Sequence, residues 1–210
     1  MPAMQRFVLP AVCALVVACA LAGCSHDGRA LKPVAPGATA PPTTVVTSST
    51  AASQPGAGSI SATGLALSSS AFAPNALMPV ELTCDGTNVS PSLEWTGVPD
   101  GTAELAITVT DPEAKGFVHW VLAGLPATVR ALGPGAVPEG AAEASNGKGT
   151  TGWTGPCPPP GPPHHYVFTL YALSAATGVT GGMPAAEAIV KITSAPVLAT
   201  ANLVGQYQRK

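Results

Sequence analysis

The sequence predicts a mostly β, sandwich-like domain of many short strands. Three observations carry this: stretches in which apolar side chains recur at every second residue, dense proline and glycine breakers between them, and a single short helical pattern. Residues 104–110 (ELAITVT) place Leu105, Ile107 and Val109 on one face, and residues 166–172 (YVFTLYA) do the same with Phe168, Leu170 and Ala172. Shorter strand candidates are 65–68, 93–96, 119–123 and 201–207. Pro91, Pro99-Asp100-Gly101, Gly133-Pro134-Gly135 and the run 155–163 separate them, because proline supplies no N–H to a ladder. The helix candidate is 184–192 (PAAEAIVKI), with Pro184 in a first-turn position and Ala186, Ile189 and Val190 at helical spacing.

The chain of 210 residues is uneven, with Ala, Pro, Gly, Ser and Thr crowding its first third, which argues for one folded domain rather than two. Its formal net charge is -2, and 9 Lys+Arg spread along the chain form no basic stripe to neutralise a phosphate backbone. Nucleic acid is therefore excluded as a partner.

The N-terminus reads as a lipoprotein signal peptide over 1–23. Arg6 precedes an apolar run over 7–20 that Pro10 interrupts and that is short for a membrane span, and Leu21-Ala22-Gly23-Cys24 follows. Small residues at Ala22 and Gly23 fit a peptidase cleft, and Cys24 supplies the thiol that takes a diacylglyceryl group and becomes the mature first residue. Buried acyl chains at roughly 0.8 kcal/mol per methylene make such an anchor effectively permanent. The expected location is a cell membrane or the outer envelope, lipid-anchored and extracytoplasmic. Residues 24–59 lack aromatics and apolar periodicity and read as a disordered linker with an r.m.s. reach of roughly 35 Å. Residues 60–210 form the folded domain.

Titratable groups at strand ends are informative in a domain so poor in charge. Asp111 closes the 104–110 strand just before Pro112. His119 opens the next strand after a short connection that returns it near Asp111. The stiff segment 155–163 runs into His164-His165-Tyr166, where alternation puts His164 and Tyr166 on one side and His165 on the other. Asp111, His119, His164 and Tyr166 can therefore meet.

The chain resembles the phosphatidylethanolamine-binding protein family, in its bacterial Raf-kinase-inhibitor-like branch. The resemblance rests on Cys84-Asp85-Gly86-Thr87-Asn88-Val89-Ser90-Pro91, Leu93-Glu94-Trp95, Asp111-Pro112-Glu113-Ala114, His119-Trp120-Val121, Gly155-Pro156-Cys157-Pro158-Pro159 and His164-His165-Tyr166-Val167-Phe168, in the family's order. It implies a large twisted sheet packed on a smaller one, with a few short peripheral helices and a small cavity for phosphate, acetate or a phospholipid headgroup. The family's cavity residues correspond to Asp111, His119, His164 and Tyr166, and its proline rim to Pro158 and Pro159. Departures are Glu113 for a second Asp, Lys115 for Pro, Gly124 for Asn, Ser194-Ala195-Pro196 for a Gly-His pair, and His165 for an Arg whose loss removes a bidentate anion partner or a structural carboxylate–guanidinium ion pair.

An imidazole beside a carboxylate is favoured in its charged form, so His119 or His164 is expected to be cationic, with anion binding weakening as pH rises through the histidine pKa. Of five cysteines, Cys84 and Cys157 remain in the domain, and an oxidising compartment predicts that they pair; two separate buried thiols are the alternative. Trp95, Trp120 and Phe168 read as core and Trp153 as an exposed rim aromatic. Asp85 faces the opening or simply forms a turn. The leading expectation is a non-catalytic binding protein for an anionic small molecule or headgroup, possessing no cofactor, with an inhibitor or scaffold role, a protein partner and a homodimer left open. The alternative is a metal-dependent enzyme with Asp111, His119 and His164 as ligands. A hydrolase is disfavoured, because there is no G-x-S-x-G elbow and no cysteine outside the expected pair.

Overall fold

The computed structural model describes residues 64–210. The expected signal peptide, the expected lipidation site Cys24 and the expected linker to residue 59 lie outside the described residues.

Among the described residues, eight strands make two antiparallel sheets. The small sheet has the order β1-β2-β5, from β1 (Ala66–Ser68), β2 (Leu93–Thr96) and β5 (Ala131–Leu132). The large one has the order β6-β4-β3-β7-β8, from β3 (Glu104–Asp111), β4 (Phe117–Leu125), β6 (Ala142–Glu143), β7 (His164–Leu173) and β8 (Val197–Tyr207). A helix, α1 (Ala185–Ser194), precedes β8, and a 3-10 turn occupies Val80–Leu82.

Alternation assigns the faces of the large sheet. Leu105, Ile107 and Val109 pack with Phe168, Leu170 and Ala172 against Leu67, Leu93 and Trp95 of the small sheet, forming the main core. Ala106, Val121, Ala123 and Leu173 face the other way and are covered by Ala188 and Ile192 of α1. The central strand β3 is thus buried on both sides from Glu104 to Val109. Its entry carboxylate, Glu104, is not left bare: it accepts from the Gly124 amide and from the amide and hydroxyl of Thr177.

The expected helix is present, but its buried face differs. Ala186 and Val190 are exposed, Val190 to 60%, while Ala185, Ala188, Ile189 and Ile192 follow the i, i+3, i+4, i+7 stripe toward the sheet. Starting one residue later and running two further lets Ile192, at the expected end, become the deepest anchor.

Trp153 is also a correction. It stacks on Phe168 with centroids 6.0 Å apart, meets Trp120 edge-on at 6.0 Å, and donates its indole N–H to Leu82 O. It extends the core instead of standing on a rim. Asp85 accepts from Tyr207 Oη at 2.8 Å and pairs with Arg209 Nε at 3.0 Å, so it anchors the C-terminal tail.

Candidate functional site

One end of the large sheet holds the site. Asp111 continues the stripe of Leu105, Ile107 and Val109 past its apolar end, and His164 and Tyr166 continue that of Phe168, Leu170 and Ala172 on the neighbouring strand. Asp111 is only 2% exposed. Its Oδ2 lies 2.8 Å from His164 Nδ1, and its Oδ1 accepts the Ala114 amide at 3.0 Å, so one carboxylate both meets the imidazole and shapes the turn. That turn closes through Lys115 and Gly116, both left-handed at φ 57° and 74°. Proline, confined near φ -65°, has no place at residue 115 of such a turn.

His119 reaches the site through an irregularity. Val109 pairs with Trp120 and Thr110 with Val118, which leaves His119 as an extra residue on β4. A bulge brings two successive side chains toward one face. His119 accordingly meets Tyr166 edge-on at 5.0 Å while Trp120 joins the core. Its Nδ1 donates to Thr154 O at 2.6 Å, an acceptor-only partner that places the proton of a neutral ring on Nδ1. Burial lowers the His119 pKa below 6.5, with Lys148 and His164 acting in the same direction, against the Thr154 bond and the field of Asp111. The expectation that proximity to a carboxylate makes His119 cationic is therefore corrected: desolvation is the larger effect.

Tyr166 is wholly buried, and its hydroxyl lacks a hydrogen-bond partner of normal geometry. Burial first, then the nearby Asp111 carboxylate, pushes the phenol far above 10, so it remains an O–H donor. His165, on the opposite face as alternation requires, pairs with Glu113 at 2.7 Å, and its amide also donates to that carboxylate. These bonds outweigh the opposing effect of desolvation and hold the Glu113 carboxyl down to about 2. The set Glu113–His165 thus occupies the position of the expected carboxylate–guanidinium pair.

A cavity of about 200 Å³ opens here, lined by Asp111, His119, His164, Pro158 and Pro159, together with Ala114, Phe117, Lys148, Gly155 and Cys157. Lys148 is absent from the expected set. It stands between Gly147 and Gly149 on a loop whose amides at 148 and 150 bond to Asn146 Oδ1. Gly147 is obligatory there, since a Cβ would lie 2.6 Å from the Phe117 ring. A lysine flanked by glycines in a charge-poor domain was the available signal. The proline wall is fixed by the Cys84–Cys157 disulfide, with Cα atoms 5.4 Å apart, and by the Gly155 amide on Asn88 Oδ1. Among the described residues, the carboxylate and imidazole atoms gathered within 4.8 Å belong to Asp111, Glu113 and His164. His119 is not in that group, contrary to the ligand trio expected for a metalloenzyme.

The sequence profile described as "Phosphatidylethanolamine-binding protein" matches residues 68–208. The chain belongs to the phosphatidylethanolamine-binding protein family. Its relatives include LppC of Mycobacterium tuberculosis, named "Putative lipoprotein LppC", 38% identical over 208 residues that cover 94% of each chain. Two solved structures share the phosphatidylethanolamine-binding fold. YbcL of Escherichia coli aligns with TM-score 0.65 at 33% identity, covering 69% of this chain and 98% of YbcL. CT736 of Chlamydia trachomatis aligns with TM-score 0.63 at 30% identity, covering 69% and 97%. The two-sheet architecture is the one the sequence predicts. Among the described residues, no helix is long and apolar enough to cross a membrane.

Proposed function

We propose that this protein is a lipid-anchored, extracytoplasmic binding module whose cavity takes a small phosphate-bearing ligand or a phospholipid headgroup. The observation that carries the reading is the buried Tyr166 hydroxyl, a donor with no acceptor at normal hydrogen-bond geometry, beside a cavity that Lys148, His119, His164 and Asp111 line. At about 200 Å³ the cavity is smaller than the roughly 300–1,000 Å³ of sites for drug-sized ligands, which favours a headgroup or a free anion. Lys148 supplies a compact positive charge to a phosphate, and Asp111 an acceptor to an ammonium. The likeness to LppC along nearly the whole chain supports an anchor at Cys24. Binding is favoured over catalysis because both domain cysteines are tied in a disulfide and the Tyr166 phenol is held protonated.

Titration calorimetry of the full-length protein with inorganic phosphate and with glycerophosphoethanolamine tests this. Tyr166→Phe should weaken binding by about fivefold or more, the worth of one hydrogen bond near 1 kcal/mol, while leaving stability unchanged or slightly raised because it deletes an unpaired buried group. Lys148→Ala should weaken it further. Tight phosphate binding with none for the diester, or the reverse, identifies the source; no binding of either, or binding untouched in both variants, refutes the proposal.

A further inference from the structure

We propose that Asp111, Glu113 and His164 form a divalent-cation site at the mouth of the cavity, with water in the remaining positions and one such water accepting the Tyr166 hydroxyl. This inference shares Asp111, His164 and the Tyr166 hydroxyl with the anion-binding reading, and Glu113, which that reading does not use, separates the two.

The geometry comes first. One carboxylate oxygen from each acid and one ring nitrogen of His164 all lie within 4.8 Å of one another. Atoms bound to one ion at about 2.1 Å stand up to about 4 Å apart, so the three close on a cation with a small movement. Glu113 is the member that would move: its side chain is 38% exposed against 4% for Asp111, and turning toward an ion would exchange its bonds to the exposed His165 for the metal. The buried pair of Asp111 and His164, already 2.8 Å apart, supplies the rigid half of the site.

Charge points the same way. Among the described residues, the ion pair that contains a permanent cation is Arg209 on Asp85, remote in sequence from this turn. Asp111 and Glu113 face imidazoles instead. An imidazole nitrogen satisfies a carboxylate as an N–H donor or joins it as a fellow metal ligand, a choice that a guanidinium does not have. Two carboxylates with one imidazole suit zinc, manganese or ferrous ions better than calcium, which takes six to eight oxygens.

Tyr166 is the independent observation. A wholly buried hydroxyl on the same face of β7 as His164, two residues away, lies near the Asp111 carboxylate but makes no hydrogen bond of normal geometry. A metal-bound water beside Asp111 is an acceptor within its reach, and an orienting partner of this kind is the usual companion of a metal ligand.

The test is calorimetry and native mass spectrometry of full-length protein, stripped with chelator and titrated with zinc and with manganese in phosphate-free buffer. One ion per chain is expected. Glu113→Gln should weaken binding more than ~10-fold, and Tyr166→Phe by about 10-fold, the loss typical of removing an outer partner. Glu187→Gln, on the exposed side of α1, should bind as the parent does. Circular dichroism confirms the fold of each variant; Glu113 is exposed, so its substitution keeps the test decisive even if Asp111→Asn proves unstable. Absence of a bound ion, or an affinity that Glu113→Gln leaves untouched, overturns the site. Phosphate titrations on the stripped protein report separately on the anion reading.

Discussion

His119 shows how burial and neighbours compete at a single side chain. Its pKa lies below 6.5 in the folded protein, so between that lowered value and 6.5 the unfolded chain binds more protons than the native one. Stability should therefore rise with pH through this window, level off above it, and be lost going down until the folded-state pKa is passed. Glu113 acts in a separate window: its pKa is about 2 against 4.5, so its contribution is present above 4.5 and lost toward 2. Urea unfolding from about pH 4.5 to 7.5 isolates the histidine. His119→Gln should flatten the slope there, and an unchanged slope would assign it to other groups. Below its pKa the ring gains a proton on Nε2 and becomes a second donor, so anion affinity should strengthen toward acid. That keeps the sign expected from sequence while replacing its cause. At this scale Asp111, His164 and Tyr166 were legible because each extends an alternating apolar stripe by two or four residues. Glu113 and Lys148 were not, since they stand in a turn and a loop where no periodicity assigns a direction.

At the scale of elements, β3 and β7 could be read directly because both have long apolar alternation, and β2 was found to the residue. The two-residue strands β5 and β6 carry no pattern of their own: each exists only through its partner, Leu93–Glu94 or Leu122–Ala123. The first residues of β8 escaped notice because Val197 and Leu198 are exposed and alternation starts at Ala199. The bulge at His119 is equally hidden, being a mismatch of register between two strands rather than a property of either. The helix offers a clean test of its revised face. Ile192→Ala deletes a side chain with no exposure and should cost about 2–4 kcal/mol, whereas Val190→Ala should change stability by less than ~0.5 kcal/mol. Equal costs by denaturant titration would restore the originally expected stripe.

For the molecule as a whole, the disulfide links the turn after Val80–Leu82 to the proline wall across 73 residues. Closing a loop of that length stabilises by roughly 4 kcal/mol in the chain-entropy view. The Cys84→Ser, Cys157→Ser double variant should unfold at correspondingly lower urea, while the Cys84 amide on Pro156 O and the Gly155 amide on Asn88 keep the wall in place in its native state. A midpoint equal to the parent's would mean that these polar ties already do the bridging. The overall two-sheet plan was within reach of sequence because ordered motifs spread along the domain agreed on one family; the position of Trp153 was not, because glycine-rich surroundings imitate a surface.

The tail beyond β8 gives the chain's far end an unexpected part. Gln208 holds Gly161 O, Arg209 bridges to Pro160, and Tyr207 and Arg209 converge on Asp85. Residues 207–209 are thus a latch on the same proline segment that borders the hollow. Replacing Gln208 and Arg209 by alanine would leave the hydrophobic interior whole yet unfasten that latch, loosening the wall from a point far along the sequence.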